Sequence, residues 1–386
     1  MSLSAKDTKR IYFDYNATTP LLPEVIDAML PHLRENFGNP SSAHWYGQQA
    51  KEAVDMARAQ VAKLINCQPD EIVITSGGSE SNNQAVKGVV EVHKKGKNHI
   101  ITSSIEHPAM KNPCGYLENC RDCSVTYLPV DKYGVVNPTD VERAINENTV
   151  LISIMYANNE VGTIQPIAEI GEVAAKNGIC FHSDAAQAVG KIPVTIDKFK
   201  IDLMTICAHK FYGPKGVGAL YLRRGTKVHS LIHGSGHERG LRAGTENVAS
   251  IVGMGKAAEI AENGMVREAM RIGALRDAFF EKLSAKIKGV VQNGHPIKRL
   301  PGTLHVSFDG VNGSELLDLV PEICATTGAA CSDRAKDISG VLKAMGLSRE
   351  LGMGSVRFSL GKYNTMEEID YAVNRFVEAV KELRSR

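Results

Sequence analysis

The stretch LMTICAHKFYGPKGVGALYLR, residues 203–223, decides the fold. Its first part is an apolar run with little alternation, which is how a strand reads when both of its faces are covered. The run ends at Lys210, and an aromatic, Gly and Pro turn follows. A second run of the same kind, GALYLR, then begins. Working outward, EIVITS (71–76), HIITSS (99–104), VTYLPV (125–130), VLISIMYA (150–157) and ICFHSDAA (179–186) share this character. Helix-like segments at 43–65, 79–95 and 167–176 lie between several of them. Strands alternating with helices predict an α/β domain around a largely parallel sheet.

From about Ser250 a long helical region runs to Ile287. Beyond it come GTLHVSF, a cysteine-bearing polar loop, SVRFSLG and a final amphipathic helix, the pattern of a smaller α+β unit. We therefore expect a large domain over 14–260 and a small C-terminal domain over 261–386. Residues 1–13 could join either, and their packing on the small domain is the expectation.

Bulk numbers exclude several function classes. The chain has 386 residues, 43% hydrophobic and 23% charged, as in ordinary globular proteins. A net charge of +2 implies no polyanion, so no direct nucleic-acid partner is expected. No apolar run approaches the roughly 18 residues of a membrane span. The first residues, MSLSAKDTKR, lack the apolar core of a signal peptide. A cytoplasmic location is expected, and there the eight cysteines read as free thiols, ligands or nucleophiles.

Four segments carry chemistry. In ITSGGSESNNQAV (74–86) a strand ends, Gly77-Gly78 turn, and Ser79 is expected as the helix N-cap. Exposed backbone N–H groups and the helix dipole suit an anion, although a plain capped turn reads the same way. In HSDAAQAVGK (182–191) Asp184 closes a strand at the sheet edge that faces a ligand crevice. Its carboxylate can pair with a protonated ring nitrogen or cap a helix. Lys210, packed among apolar groups, would have a lowered pKa and serve as a Schiff-base nucleophile; a snorkelling surface lysine is the alternative. His107, after HIITSS, can stack on a flat ring, move a proton, or serve structure alone.

Taken in order, YFDYNATTP, FGNPSSAH, TSGGSESNN, EHPAM, ANNEVGTIQP, HSDAAQAVGK, AHKFYGPKGVGALY, GHERGLRAGTENV and VRFSLG resemble the cysteine desulfurases of the NifS/IscS type. These are class V, fold-type I pyridoxal phosphate enzymes, and the resemblance spans residues 11 to about 380. It implies that Lys210 holds pyridoxal 5'-phosphate through a Schiff base. Asp184 would face the pyridine nitrogen, Gln187 and Asn158 the ring hydroxyl, and His107 would stack on the ring. Ser79, His209 and the backbone of Gly78 would bind the phosphate. Thr245 would reach the phosphate of a neighbouring subunit, which implies a homodimer. Arg357 would pair with the substrate carboxylate, helped by Asn39 and Asn158; its planar fork suits that job. Cys207 departs from the serine common at its position, and a thiol donates more weakly.

The resemblance also assigns the loop cysteine. In CATTGAACSDRAKDISG (324–340), Cys331 matches the family's nucleophile, which takes sulfur from L-cysteine as a persulfide, leaves L-alanine, and delivers the sulfur to an acceptor protein. Gly328-Ala329-Ala330 offer little bulk, and Arg334 and Lys336 favour a thiolate while Asp333 and Asp337 oppose it. The spelling GAACSD is close to that of selenocysteine lyases, so selenocysteine is the alternative substrate. A class V lyase or aminotransferase that uses no cysteine is a further alternative. Cys114, Cys120 and Cys123 form C-x5-C-x2-C without an evident fourth metal ligand, and read as scattered thiols.

Overall fold

A computed structural model describes residues 10–93, 96, 98–327 and 337–386. Twelve strands occur among them: β1 (Ile11–Tyr12), β2 (Ile72–Thr75), β3 (His99–Ser103), β4 (Ser124–Leu128), β5 (Thr149–Ser153), β6 (Cys180–Asp184), β7 (Leu203–Cys207), β8 (Gly218–Leu222), β9 (Val290–Asn293), β10 (Thr303–Phe308), β11 (Ile323–Cys324) and β12 (Ser355–Ser359). Seven form one sheet in the order β2-β8-β7-β6-β5-β3-β4. All seven are the apolar runs read from the sequence. β3 to β7 pair in parallel, and β8 runs antiparallel to both β7 and β2. β2 therefore runs with the parallel strands, and six strands end at one edge.

Every residue of β2, β3, β5 and β7 is buried, which explains their unbroken apolar character. One face packs under the helices Trp45–Ile65 and Ile167–Lys176 and the start of Val248–Lys286, in a core that includes Val54, Val61, Ile74, Ile170, Ile206 and Met254. The other face packs under Gly78–Val92 and Pro108–Cys120, through Val86, Val89, Met110 and Leu117. The Gly78–Val92 helix was expected to continue to Lys95, which lies outside the described residues.

A second core gathers Ile11, Phe13, Phe279, Leu304, Val306, Phe358 and Phe376 around the sheet β12-β10-β9. The 39-residue helix Val248–Lys286 serves both cores: Ala257 and Ala258 face the first, Leu275, Phe279 and Leu283 the second. β1 pairs with β11, so the N-terminal strand belongs with the C-terminal unit. Cys114 and Cys123 are buried in the apolar cluster of Met110 and Leu117, and no group of three or more metal-ligating side chains occurs among the described residues. No helix among them is long and apolar enough to cross a membrane.

Candidate active site

The site grows from the edge where the parallel strands end. A cavity of about 690 Å³ opens there, bounded by the loop after β2, the ends of β6 and β7, and β12 of the small core. Into it the fold brings Gly78, Ser79, His107, Asp184, Gln187, Cys207, His209, Lys210 and Arg357.

Asp184 is the last residue of β6 and is buried. Asn82 Nδ2 donates to its Oδ2 at 2.7 Å, and the Ala186 N–H donates to its Oδ1 at 3.0 Å. Asn82 in turn accepts from Thr205 Oγ1 at 2.6 Å, and Thr205 also meets His182. Both carboxylate oxygens are thus held in place from behind. The helix-capping alternative for Asp184 is set aside, because β6 runs into a turn, not a helix.

Lys210 follows β7 and donates to the carbonyls of Asn16 at 2.7 Å and Ala17 at 2.8 Å. Burial pushes its pKa below the ordinary lysine value, helped by the Arg357 charge and opposed by Cys207, Asp184 and Asp14. A lysine so placed is a better nucleophile than one in water.

His107 is the N-cap of Pro108–Cys120, its Nδ1 accepting from the Ala109 N–H at 3.0 Å. That bond leaves the ring proton on Nε2. Loss of water around the ring and the charge of Lys210 lower its pKa, while Asp184 pulls it up.

The anion end differs from expectation in one respect. Gly77, not Ser79, is the N-cap of Gly78–Val92, and no side chain caps the helix. Gly77 has φ +141°, and a Cβ on the facing Gly218 would meet its Cα at 2.7 Å, so the two backbones need glycine to approach this closely. Ser79 is the second residue of that helix and lines the cavity beside Gly78. His209 contacts Thr18 Oγ1 at 3.1 Å and is kept neutral, its pKa pushed down to about 4 by burial and by Lys210, Lys215 and Lys191. Burial raises the Cys207 thiol pKa against the pull of the Gly78 N–H and Lys210, so it is a neutral thiol.

Arg357 enters from β12. It is buried, donates to Asp14 Oδ1 at 2.6 Å and to the Asn159 carbonyl at 3.1 Å, and its Nε has no partner among the described residues. Its backbone pairs with Thr326, and Ser339 and Gly340 line the same cavity, so the chain on both sides of 328–336 is anchored at the site. Cys331 itself lies outside the described residues.

Two expected residues are elsewhere. Asn158 is fully buried, and its amide is spent on the Ile105 carbonyl and on the N–H groups of Glu160 and Val161. It shapes the turn, while the adjacent Asn159 lines the cavity. Asn39 is exposed, accepts from the Ser41 N–H at 2.9 Å, and lies in a separate surface cavity with Thr245. Within one chain it cannot assist Arg357. Sequence reading missed Asn82, Asn16, Asp14 and Asn159. All four sit inside quoted motifs, but nothing local marks which polar residue of a motif faces the cavity.

The aminotransferase class V family model matches residues 11–372. The chain belongs to that family, in its NifS/IscS branch. The class V chain is 50% identical over 380 residues to the cysteine desulfurase IscS of Dictyoglomus turgidum, covering 98% of this chain and 96% of the relative. A solved NifS-like protein superposes with a TM-score of 0.91 at 40% identity, over 97% of this chain and all of the other. A solved structure described as SspA in complex with cysteine matches with a TM-score of 0.83 at 39% identity, over 92% of this chain and all of the other.

Proposed function

We propose that this class V chain is a pyridoxal phosphate-dependent cysteine desulfurase. The observation that carries the reading is one cavity holding a depressed-pKa lysine, a doubly anchored carboxylate and a buried arginine with an unpartnered N–H. The donor set fits the cofactor. Lys210 supplies the amine, Asp184 the partner for a pyridinium, and the Gly78–Val92 helix start with Ser79 and His209 the phosphate donors. When bound, the cofactor supplies an electron sink for charge left on the substrate's α-carbon.

The chain's own residues do the rest. Arg357 binds the substrate carboxylate through its guanidinium. Lys210 takes the α-proton, and His107, its proton on Nε2, is placed to donate a proton into the cavity. Cys331, as thiolate, attacks the substrate sulfur, and the carbon–sulfur bond breaks toward carbon. Protonation of that carbon and return of a proton to the α-carbon give alanine, and Cys331 keeps the sulfur as a persulfide for an acceptor protein. The names of the relatives favour cysteine over selenocysteine.

The active unit is a homodimer working in the cytoplasm. Phe37, Trp45 and Tyr46 are 77%, 60% and 46% exposed and packed ring on ring beside Asn39. Such a solvent-facing aromatic cluster suits a second copy, into whose site Thr245 would reach. Light scattering checks this: Trp45→Glu gives monomers.

The deciding experiment measures alanine from cysteine and from selenocysteine, with the persulfide located by mass spectrometry. Cysteine turnover with sulfur on Cys331 is expected. Full cysteine turnover by Cys331→Ser would overturn the sulfur-transfer route.

A further inference from the structure

Lys191 is the last residue of HSDAAQAVGK, and none of the chemistry above uses it. Its Nζ lies 2.6 Å from Gln187 Oε1 and 3.1 Å from Asn16 Oδ1. Gln187 Nε2 donates to the Asn16 carbonyl at 2.9 Å, the same oxygen that receives Lys210 Nζ at 2.7 Å. Asn16 Nδ2 donates to Thr303 Oγ1 at 2.8 Å and to the Asn159 carbonyl at 3.1 Å. Asn16 and Lys210 stand between two cavities. Gln187 faces the front one, and Lys191 a second of about 490 Å³ behind it. Gly190 brings Lys191 there. It has φ +77°, and a Cβ on it would meet Phe211 Cβ, next to Lys210, at 2.5 Å.

An amide side chain can face either way round. A lysine only donates, so the atoms it touches must be oxygens. Lys191 therefore holds the oxygen end of both amides, while the Asn16 and Asn159 carbonyls hold their NH2 ends: the Gln187 NH2 meets the Asn16 carbonyl beside Lys210 Nζ.

We propose that Lys191 is a positioning residue that locks the Gln187 amide so that it donates into the front cavity. No carboxylate bonds its Nζ, and burial together with Lys210 and Arg357 pushes its pKa down, with Cys207 opposing. Asp184 and His209 also face this partition from the front. The proposal rests on the reading that the front cavity holds pyridoxal phosphate with its ring oxygen facing Gln187. A fixed donor there stabilises a negative ring oxygen, so the nitrogen joining Lys210 to the ring loses its proton at lower pH.

The test titrates the visible absorption of purified holoenzyme against pH. In Lys191→Met the midpoint should rise by about one pH unit, the worth of one charge-assisted hydrogen bond. Lys191→Arg should restore most of it. In a Gln187→Ala background, Lys191→Met should add little further shift. An unmoved midpoint in Lys191→Met, or an equal shift with and without Gln187, overturns the proposal. If Lys191→Met does not fold, a Lys191→Arg midpoint displaced as far as that of Gln187→Ala overturns it, and one near the wild-type value supports it. A wild-type enzyme with no titrating visible band would instead overturn the cofactor reading beneath it.

Discussion

The edge of the large sheet and the face of β12 meet across one cavity, yet they handle their polar atoms differently. On the sheet side both oxygens of Asp184 are bonded, Lys210 has two carbonyl acceptors, and Gln187 is held at both ends. On the β12 side Arg357 Nε is buried without a partner among the described residues. A buried polar group left unpaired costs roughly 1–3 kcal/mol. Asp184, Lys210 and Gln187 are thus tied down before anything binds, as a resident group requires. The β12 side keeps spare hydrogen-bonding capacity, as a substrate that arrives and leaves requires.

The largest test of that contrast is Lys210→Ala. It should remove the visible band and lower kcat by about 10³-fold or more, since nucleophile and proton carrier go together. Arg357→Leu should keep the band and raise KM for cysteine about 100-fold, close to two lost charge-assisted hydrogen bonds. Loss of cofactor from that variant, seen as a colourless protein, would break the division.

The neighbouring asparagines sharpen it. Asn158→Ala should cost about 2–3 kcal/mol in chemical denaturation, because it strands one buried carbonyl and two N–H groups. Asn159→Ala should leave stability within about 0.5 kcal/mol and act on KM.

Two buried histidines, one on β10 of the small core and one on β6 of the large sheet, also set an acid limit. Burial, with Arg357 and Arg299, pushes His305 from 6.5 to about 3, and burial pushes His182 to about 4. The folded state refuses a proton that the unfolded chain accepts, so their contribution is complete above pH 6.5 and drains as the pH falls toward 3–4. Between pH 6.5 and 5 each histidine should cost roughly 2 kcal/mol. Denaturation midpoints check this, and His305→Asn should flatten the profile. The smallest effect belongs to Cys207→Ser. One better donor at the phosphate end should slow cofactor loss about 5-fold; an unchanged rate would mean that the thiol costs nothing.

What could be read from the chain follows the same division. All seven strands of the large sheet were legible, because strands covered on both faces write unbroken apolar runs. Lys210, Asp184 and His107 were legible because each ends or closely follows such a strand. Arg357 was found only through resemblance, and its partner Asp14 stands 343 residues away, a distance over which periodicity says nothing. Asn158 and Asn159 are identical letters, and only the turn tells which of them lines the cavity. Ser79 was read as a cap because serine favours that position, but the close approach to Gly218 hands it to Gly77. Lys191 carries a charge on an apolar segment with no local sign of the amides it meets.

The pairing of β1 with β11, Ile11 opposite Ile323, bears on how the protein is made. At the usual 5–20 residues per second, a ribosome needs about 15–60 s to reach the second strand after finishing the first. Until then Ile11 and Phe13 have no core to enter, and Asp14 waits longer still for Arg357. Ile11 and Phe13 thus settle long after they leave the ribosome, and the substrate side of the cavity is completed only once β12 has emerged.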